Sequence, residues 1–343
     1  MTNIEIIDPF NITEDPKMPF LLQALNPFEV KQQFENHVHS LSSQAKQIQL
    51  QAIRTIRYKP KRRCLIEYDI TVKQFDGSEQ AITLIGKARS RGLDRRNYSL
   101  VKSLWEQNFG KNSKDDVFVP EPMGMIESWN MWFQRKVPGI IATKLLVEPE
   151  GIKLARRIAQ AAHKLHQAGI SSHRVHTIAD ELQILRDRIS IVAEMFPEQQ
   201  KRLAKILDAC DRLGASIPEV TPQGIHRDFY PDQIIVDRNC LYLLDMDLYC
   251  QGDPSLDIGN FIGHIIEQSL RTSGKISTLA DREAALTKEF LRLSSTATRS
   301  AVESYTTLTL VRHIYLSTQF SARQPFTNSL IELCEQRLDL AGY

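Results

Sequence analysis

The sequence predicts an α+β protein in two parts, an antiparallel strand-rich part followed by a larger helical one. Three features point there. Apolar and polar residues alternate through much of 51–139, apolar residues recur at helical spacing through much of 151–341, and Val137-Pro138-Gly139 interrupts regular structure between the two. A chain of 343 residues has room for roughly two domains of about 150 residues, so each part can bury a core of its own.

Residues 1–50 mix turn formers with short apolar pieces, and only FEVKQQFENHV (28–38) has even a weak helical period. A partly helical, otherwise irregular N-terminal extension is expected. Next, AIRTIRY (52–58), RCLIEYDITV (63–72) and QAITLIGKA (80–88) alternate and are rich in Ile, Thr, Tyr and Val, which predicts three sequential antiparallel strands. Lys59-Pro60-Lys61 and Asp76-Gly77 supply the hairpin turns. In 93–109, Leu93, Leu100, Val101, Leu104, Trp105 and Phe109 recur at helical spacing, with Gly110 placed for a left-handed C-cap. VFVPEPMGMI (117–126) and NMWFQRKVPG (130–139) read as two further strands.

The second part opens with GIKLARRIAQAAHKLHQAG (151–169), where Leu154, Ile158, Ala161, Ala162 and Leu165 make one apolar stripe and predict a buried helix. Further helices are expected at 178–195, 198–213, 257–271, 280–293, 298–320 and 327–341. A polar loop and two short strands, IIVD and LYLLD, interrupt them between 221 and 252.

With 42% hydrophobic and 24% charged residues, 15 Gly and 15 Pro, the composition excludes collagen-like, low-complexity and wholly disordered classes. Five scattered cysteines (Cys64, Cys210, Cys240, Cys250, Cys334) with no C-x-x-C pair suggest reduced thiols. The N-terminus lacks the basic and apolar regions of a signal peptide, and no apolar run is long enough to cross a bilayer. A cytoplasmic protein without a membrane partner is expected. The formal net charge is +2, yet residues 51–102 hold 13 Lys or Arg against 5 Asp or Glu. That stretch reads either as a solvated basic face or as a surface turned to an anion. No aromatic platform accompanies it, so nucleic acid is not an expected partner.

The stretch that carries chemistry runs from Gly224 through His226-Arg227-Asp228 to Gln233, then Leu243-Leu244-Asp245-Met246-Asp247, then Gly252-Asp253-Pro254-Ser255-Leu256-Asp257. Two short strands joined by a tight turn would set the loop bearing Asp228 and Gln233 beside Asp245. Carboxylate and amide oxygens are hard ligands suited to Mg²⁺, which completes its octahedron with water and phosphate oxygens. A nucleotide is the expected source of the phosphate.

At these residues the chain resembles the aminoglycoside phosphotransferase family of the protein-kinase-like superfamily. That family's loop reads His-x-Asp, four residues, Asn, followed by a strand ending in Asp and then Gly-Asp-Pro-x-x-Asp. The matching text here is HRDFYPDQ, LLDMD and GDPSLD. The resemblance spans about residues 50–320. It implies a bilobal protein-kinase-like fold, with residues 51–137 as a nucleotide-binding lobe and 138–343 as a catalytic and substrate lobe. It also implies an ATP- or GTP-dependent kinase that uses Mg²⁺ and phosphorylates a hydroxyl of a small molecule. On this reading Asp228 is the catalytic base, Asp245 and Gln233 bind the metal, and Asp247 holds a second ion or braces the loop. Lys87 and Arg62 meet the nucleotide phosphates, and the backbone near Arg135 and Val137 meets the base.

Three departures from the family pattern are visible. Gln233 stands where Asn is commoner, no G-x-G-x-x-G loop is present, and Glu106 is the lone interior acid in the 93–109 helix that could partner Lys87. They motivate an alternative, a catalytically inactive member that binds nucleotide or a partner. The missing D-F-G and A-P-E, with 11 residues between Asp245 and Asp257, argue against a protein kinase. His226 is expected to orient the loop, and His163 and His166 to be surface or packing residues. The mixed charge of 171–215 and 257–325 singles out no acceptor, and nothing indicates an oligomeric state.

Overall fold

Alternation in sequence becomes alternation in burial along the third strand, where Cys64, Ile66, Tyr68, Ile70 and Val72 all turn to one face. The computed structural model describes residues 4–38 and 45–343, and its chain divides into two compact units, Met1–Pro138 and Gly139–Tyr343.

In the first unit, β1 (Glu5–Ile7), β2 (Ala45–Lys59), β3 (Arg63–Gln74), β4 (Glu79–Arg89), β6 (Pro122–Ile126) and β7 (Met131–Arg135) form one sheet in the order β1-β2-β3-β4-β7-β6, while β5 is Val117–Phe118. The three hairpin strands are observed, but β2 begins at Ala45, earlier than its alternation suggested. Register shifts at Ala45/Gln47, Leu50/Ala52 and Thr55/Arg57 break the period of two there.

The N-terminal segment is more ordered than its mixed sequence suggested. β1 pairs in parallel with β2, and α1 (Leu21–Ala24) and α2 (Pro27–His37) lie against the sheet. Helix α2 starts where Asn26 accepts the N–H groups of Phe28 and Glu29 at 3.0 and 3.4 Å and Pro27 takes the first turn. Phe34 stands edge-on to Tyr68 and Phe133, 5.2 and 5.3 Å between ring centres, and the Tyr68 hydroxyl donates to the Ala24 carbonyl at 3.0 Å. Each such large apolar side chain removed from water contributes about 1.5–3 kcal/mol. The expected 93–109 helix is observed as α3 (Arg95–Leu104) prolonged by one π-helical stretch, Trp105–Phe109. Gly110 is not the left-handed cap expected. Its backbone is extended, and the glycine is required because a Cβ would collide with the carbonyl and ring of Trp105.

The second unit carries β8 (Ile140–Ile141), α4 (Ala142–Leu145), α5 (Gly151–His166), α6 (Ile178–Met195), α7 (Gln200–Ala215), β9 (Gln223–Ile225), β10 (Ile234–Asp237), β11 (Cys240–Leu243), β12 (Cys250–Gly252), α8 (Pro254–Ser273), α9 (Ala280–Leu293), α10 (Arg299–Thr318) and α11 (Thr327–Leu340). β10 and β11 form the expected hairpin, with Ile234 opposite Leu243. β9 and β12 also pair, Ile225 opposite Cys250, and were too short to carry a periodic signal. Helices α8 and α10 approach unusually closely. A Cβ on Gly259 would stand 2.5 Å from Tyr305 Cβ, and one on Gly263 2.6 Å from Thr309 Cγ2. Among the described residues no helix is long and apolar enough to cross a membrane.

Candidate active site

The loop after β9 is held by its backbone from several sides. The fully buried Asp257, at the first turn of α8, accepts the N–H of His226 at 2.8 Å, the N–H of Arg227 at 2.7 Å, and a hydrogen bond from His166 Nε2 at 2.9 Å. One helical turn on, Asn260 Nδ2 donates to the Phe229 carbonyl at 2.9 Å. Asn260 is in turn bonded by Arg312 of α10, which also reaches Glu181 at 3.5 Å, and Glu181 lies 2.6 Å from His176 Nε2. Burial raises the Glu181 carboxyl, but His176 and then Arg312 outweigh it, so the group is held below the usual carboxylate value.

Asp228 sits between these anchors. Its carboxylate accepts no hydrogen bond among the described residues and lines a cavity of about 810 Å³. The preceding residue, Arg227, has φ +68°, and Asp245 has φ +54°, both in the left-handed region sparsely used outside glycine. Two such residues in one locus are maintained only where the surroundings over-determine them.

Leu244 joins the loop to the β11 strand end. Its N–H donates to the Gln233 carbonyl at 2.9 Å, and its carbonyl accepts from His226 Nε2 at 2.7 Å. Asp245, the next residue, is thereby brought beside Gln233 and the 226–228 loop. The bond from Nε2 assigns His226 to bracing the loop. The Gln233 side chain is 9% exposed and makes no hydrogen bond within the described protein. The Gln233 amide oxygen has no partner in the described protein and lies beside the strand end that carries Asp245, and a carboxylate and an amide oxygen are hard ligands that fit Mg²⁺ together with phosphates. No group of three or more His, Cys, Asp or Glu that could hold a metal occurs among the described residues. The neighbouring carboxylate, Asp232, is bonded by the Thr143 hydroxyl. The Asp247 carbonyl accepts from Arg174 Nη1 at 3.2 Å.

In the strand unit, Lys87 lies opposite Trp132 in the β4–β7 register and holds its Nζ 4.9 Å from that ring's centre, with no ion pair among the described residues. Glu106 does not partner it: Glu106 pairs with Lys102 at 3.7 Å, on an exposed helical face. Arg62 is exposed at the first hairpin tip, where its N–H closes a turn on the Lys59 carbonyl at 3.1 Å. This tip is fastened from outside. Asp15, 5% exposed, accepts the Lys61 N–H and the Tyr58 hydroxyl, each at 2.7 Å. Burial and then Asp15 push the Tyr58 hydroxyl up to about 12. Arg135 is engaged by Glu121 through both its N–H and its guanidinium, each at 2.8 Å. Val137, half-buried, makes no backbone hydrogen bond among the described residues.

Sequence reasoning missed Asn260, Glu181 and Arg312. Asn260 was findable, because it lies three residues after Asp257 and hence on the same helix face. Arg312 and Glu181, 131 residues apart, had no local signal.

The fold is that of the protein-kinase-like small-molecule kinases. The chain belongs to the phosphotransferase enzyme family APH, whose family model matches residues 106–291. Among solved structures it is similar to a choline/ethanolamine kinase family protein from Mesorhizobium loti, at 11% identity with a TM-score of 0.57, covering 91% of this chain and 94% of the other. It is also similar to the choline kinase LicA from Streptococcus pneumoniae, at 13% identity and TM-score 0.53, covering 92% and 98%. A third similar structure is a thermostable mutant of aminoglycoside phosphotransferase APH(4)-Ia in ternary complex with AMP-PNP and hygromycin B, at 13% identity and TM-score 0.55, covering 90% and 97%. No curated protein matches it in sequence.

Proposed function

We propose that this phosphotransferase moves the γ-phosphoryl group of ATP or GTP to a hydroxyl of a small molecule, with Asp228 as catalytic base and Asp245 and Gln233 as Mg²⁺ ligands. The observation that carries the reading is the unpartnered Asp228 carboxylate, set in a cavity by a loop whose flanking backbone groups are held by Asp257 and Asn260. Phosphoryl transfer asks the protein for positioning and charge neutralisation more than for covalent chemistry. Asp228 orients the acceptor hydroxyl and takes its proton as the new O–P bond forms and the bond to the nucleoside diphosphate breaks. Bound Mg²⁺ would neutralise the phosphate charge, and Asp247 would brace the loop or hold a second ion.

In the strand unit, residues 51–137 supply the nucleotide contacts. Lys87 has no competing carboxylate, and Arg62 adds charge at the hairpin tip where the family has glycine. The Val137 N–H and carbonyl are open to the edge of the base, whereas Arg135 offers less, its N–H and side chain being taken up by Glu121. Five thiols without a disulfide agree with a cytoplasmic location.

The test is thermal unfolding with ATP or GTP, with and without Mg²⁺. A ligand that binds only the folded state stabilises it by about 2.7 kcal/mol at a hundredfold excess over Kd. Asp245→Asn, which tolerates the left-handed backbone, removes the metal-dependent part. A melting curve unmoved by either nucleotide overturns the reading, and nucleotide binding without transfer to any acceptor favours an inactive nucleotide-binding protein.

A further inference from the structure

The cavity that Asp228 lines is walled by guanidinium groups. Arg188, Arg227, Arg271, Arg312 and Arg323 all face it. The buried Glu267 is shared by two of them, Arg271 at 3.2 Å and Arg323 at 3.9 Å. Arg312 is matched by Glu181. Arg188 has no carboxylate and instead donates to the Tyr315 hydroxyl at 3.2 Å, and Arg227 has no side-chain partner among the described residues. Of the exposed acids on the wall, Asp187 is bonded by Gln183 and Asp232 by Thr143.

His264 lies in this wall, and His313 stands edge-on behind it, 4.4 Å between ring centres. Burial, then His313 and the guanidiniums of Arg312 and Arg323, keep His264 well below its ordinary value. Burial, then Arg312, Arg323 and Arg271, bring His313 down to about 3. Both are neutral at physiological pH, so neither offsets nor adds to the arginines.

The aromatic rings that would otherwise receive a cationic acceptor already have a face covered. Arg188 lies 4.8 Å over the Tyr315 ring, Arg323 lies 5.2 Å over Phe320, and His264 stacks on Tyr230 at 4.5 Å. A quaternary ammonium is held best over open aromatic faces, and each of these three rings already has one face taken. A carboxylate or phosphate needs what this wall has, planar guanidiniums that bond two oxygens at once.

We infer that the acceptor is a small hydroxylated anion, carrying a carboxylate or a phosphate ester, whose charge is held by Arg188, Arg271 and Arg323 while its hydroxyl is presented to Asp228. The inference rests on the phosphotransferase reading above for the role of Asp228. Its anion site stands on the cavity itself.

A matched series tests it by thermal shift and by nucleotide consumption with Mg²⁺·ATP: glycerate, glycerol 3-phosphate, glycerol and choline, at equal ionic strength. Glycerate or glycerol 3-phosphate raises the melting temperature and accelerates nucleotide consumption, and comparison of the two says which anionic group the site takes. Glycerol and choline do neither. Arg188→Gln and Arg323→Gln each weaken anion binding by about tenfold or more, while the shift with Mg²⁺·ATP persists and shows that the variants are folded. Should a Gln variant fail to fold, Arg188→Lys and Arg323→Lys keep the charge but lose the two-pronged donor, and binding weakens by a smaller factor. Choline binding in preference to both anions, or anion binding untouched in the arginine variants, overturns the inference. Anion binding without any response to nucleotide instead overturns the phosphotransferase reading and leaves the anion site standing.

Discussion

The 226–245 loop region and the first hairpin tip are each held by a buried aspartate that accepts backbone N–H groups, Asp257 in the one and Asp15 in the other, and they differ in the side chains left over. In the loop, nearly every fixed group is backbone: the N–H groups of His226 and Arg227 go to Asp257, the Phe229 carbonyl to Asn260, and both polar groups of Leu244 to neighbours. The side chains of Asp228 and Gln233 are left unpartnered. At the hairpin tip, the turn itself is bolted to Asp15 through Lys61 and Tyr58. A glycine-rich loop offers mobile amides to phosphates. This tip offers charged side chains on a fixed turn. The difference teaches that one kind of anchor leaves a carboxylate and an amide unbonded in one place and exposed basic side chains in the other.

Four substitutions break or sharpen this contrast, from the largest effect to the smallest. Asp228→Asn lowers phosphoryl transfer by at least about 10²-fold while nucleotide affinity stays nearly intact, as expected for a lost general base. Parallel kinetics and nucleotide titration check it, and an unchanged transfer rate would remove Asp228 from the mechanism. Asp257→Ala strips the loop of its buried acceptor and costs about 3–5 kcal/mol. In thermal denaturation that is a drop on the order of 10 °C, together with lost transfer.

Asp15→Asn loosens the hairpin tip by about 1–2 kcal/mol. Burial raises the Asp15 carboxyl, but the Tyr58 hydroxyl and the N–H groups of Lys61 and Lys17 more than offset it, so the folded value is lowered. The ionised group therefore contributes fully above the unfolded value of about 4, and the contribution is lost as pH falls through the lower folded value. The stability gap between wild type and Asp15→Asn closes on acidification below about pH 4, and a gap that widens there contradicts the assignment. Gln233→Asn, a shorter amide at the same place, leaves transfer equal or higher. A sharp loss of metal-dependent nucleotide binding in that variant would show that the longer arm of Gln233 is needed.

Much of this was legible from residue order. Strands β3 and β4 announced themselves by strict alternation because each has one buried face, and HRDFYPDQ, LLDMD and GDPSLD carried the loop and its hairpin. What escaped was held together across long sequence distances or by irregular backbone. Helix α2 showed only as a weak period over 28–38 because its buried residues within the element are only Val30 and Phe34. β1 is three residues long and finds its partner in residues 52–54. The π-helical stretch at 105–109 has the same apolar spacing as the helix before it. The arginine wall was invisible because its members come from α6, the 226–228 loop, α8, α10 and the segment after it, and their charge averages out in any window along the chain.

The three bonds on Asp257 also set an order of events during synthesis. The chain emerges from the ribosome N-terminus first and domains fold as they appear. Asp257 follows His226 by 31 residues and His166 by 91. A nascent chain that already displays Asp228, Gln233 and Asp245 still lacks the carboxylate that receives the N–H groups of His226 and Arg227. The groups proposed to act in phosphoryl transfer are translated before the residue that holds their loop, so a product arrested short of Asp257 carries those side chains on a loop without its buried acceptor.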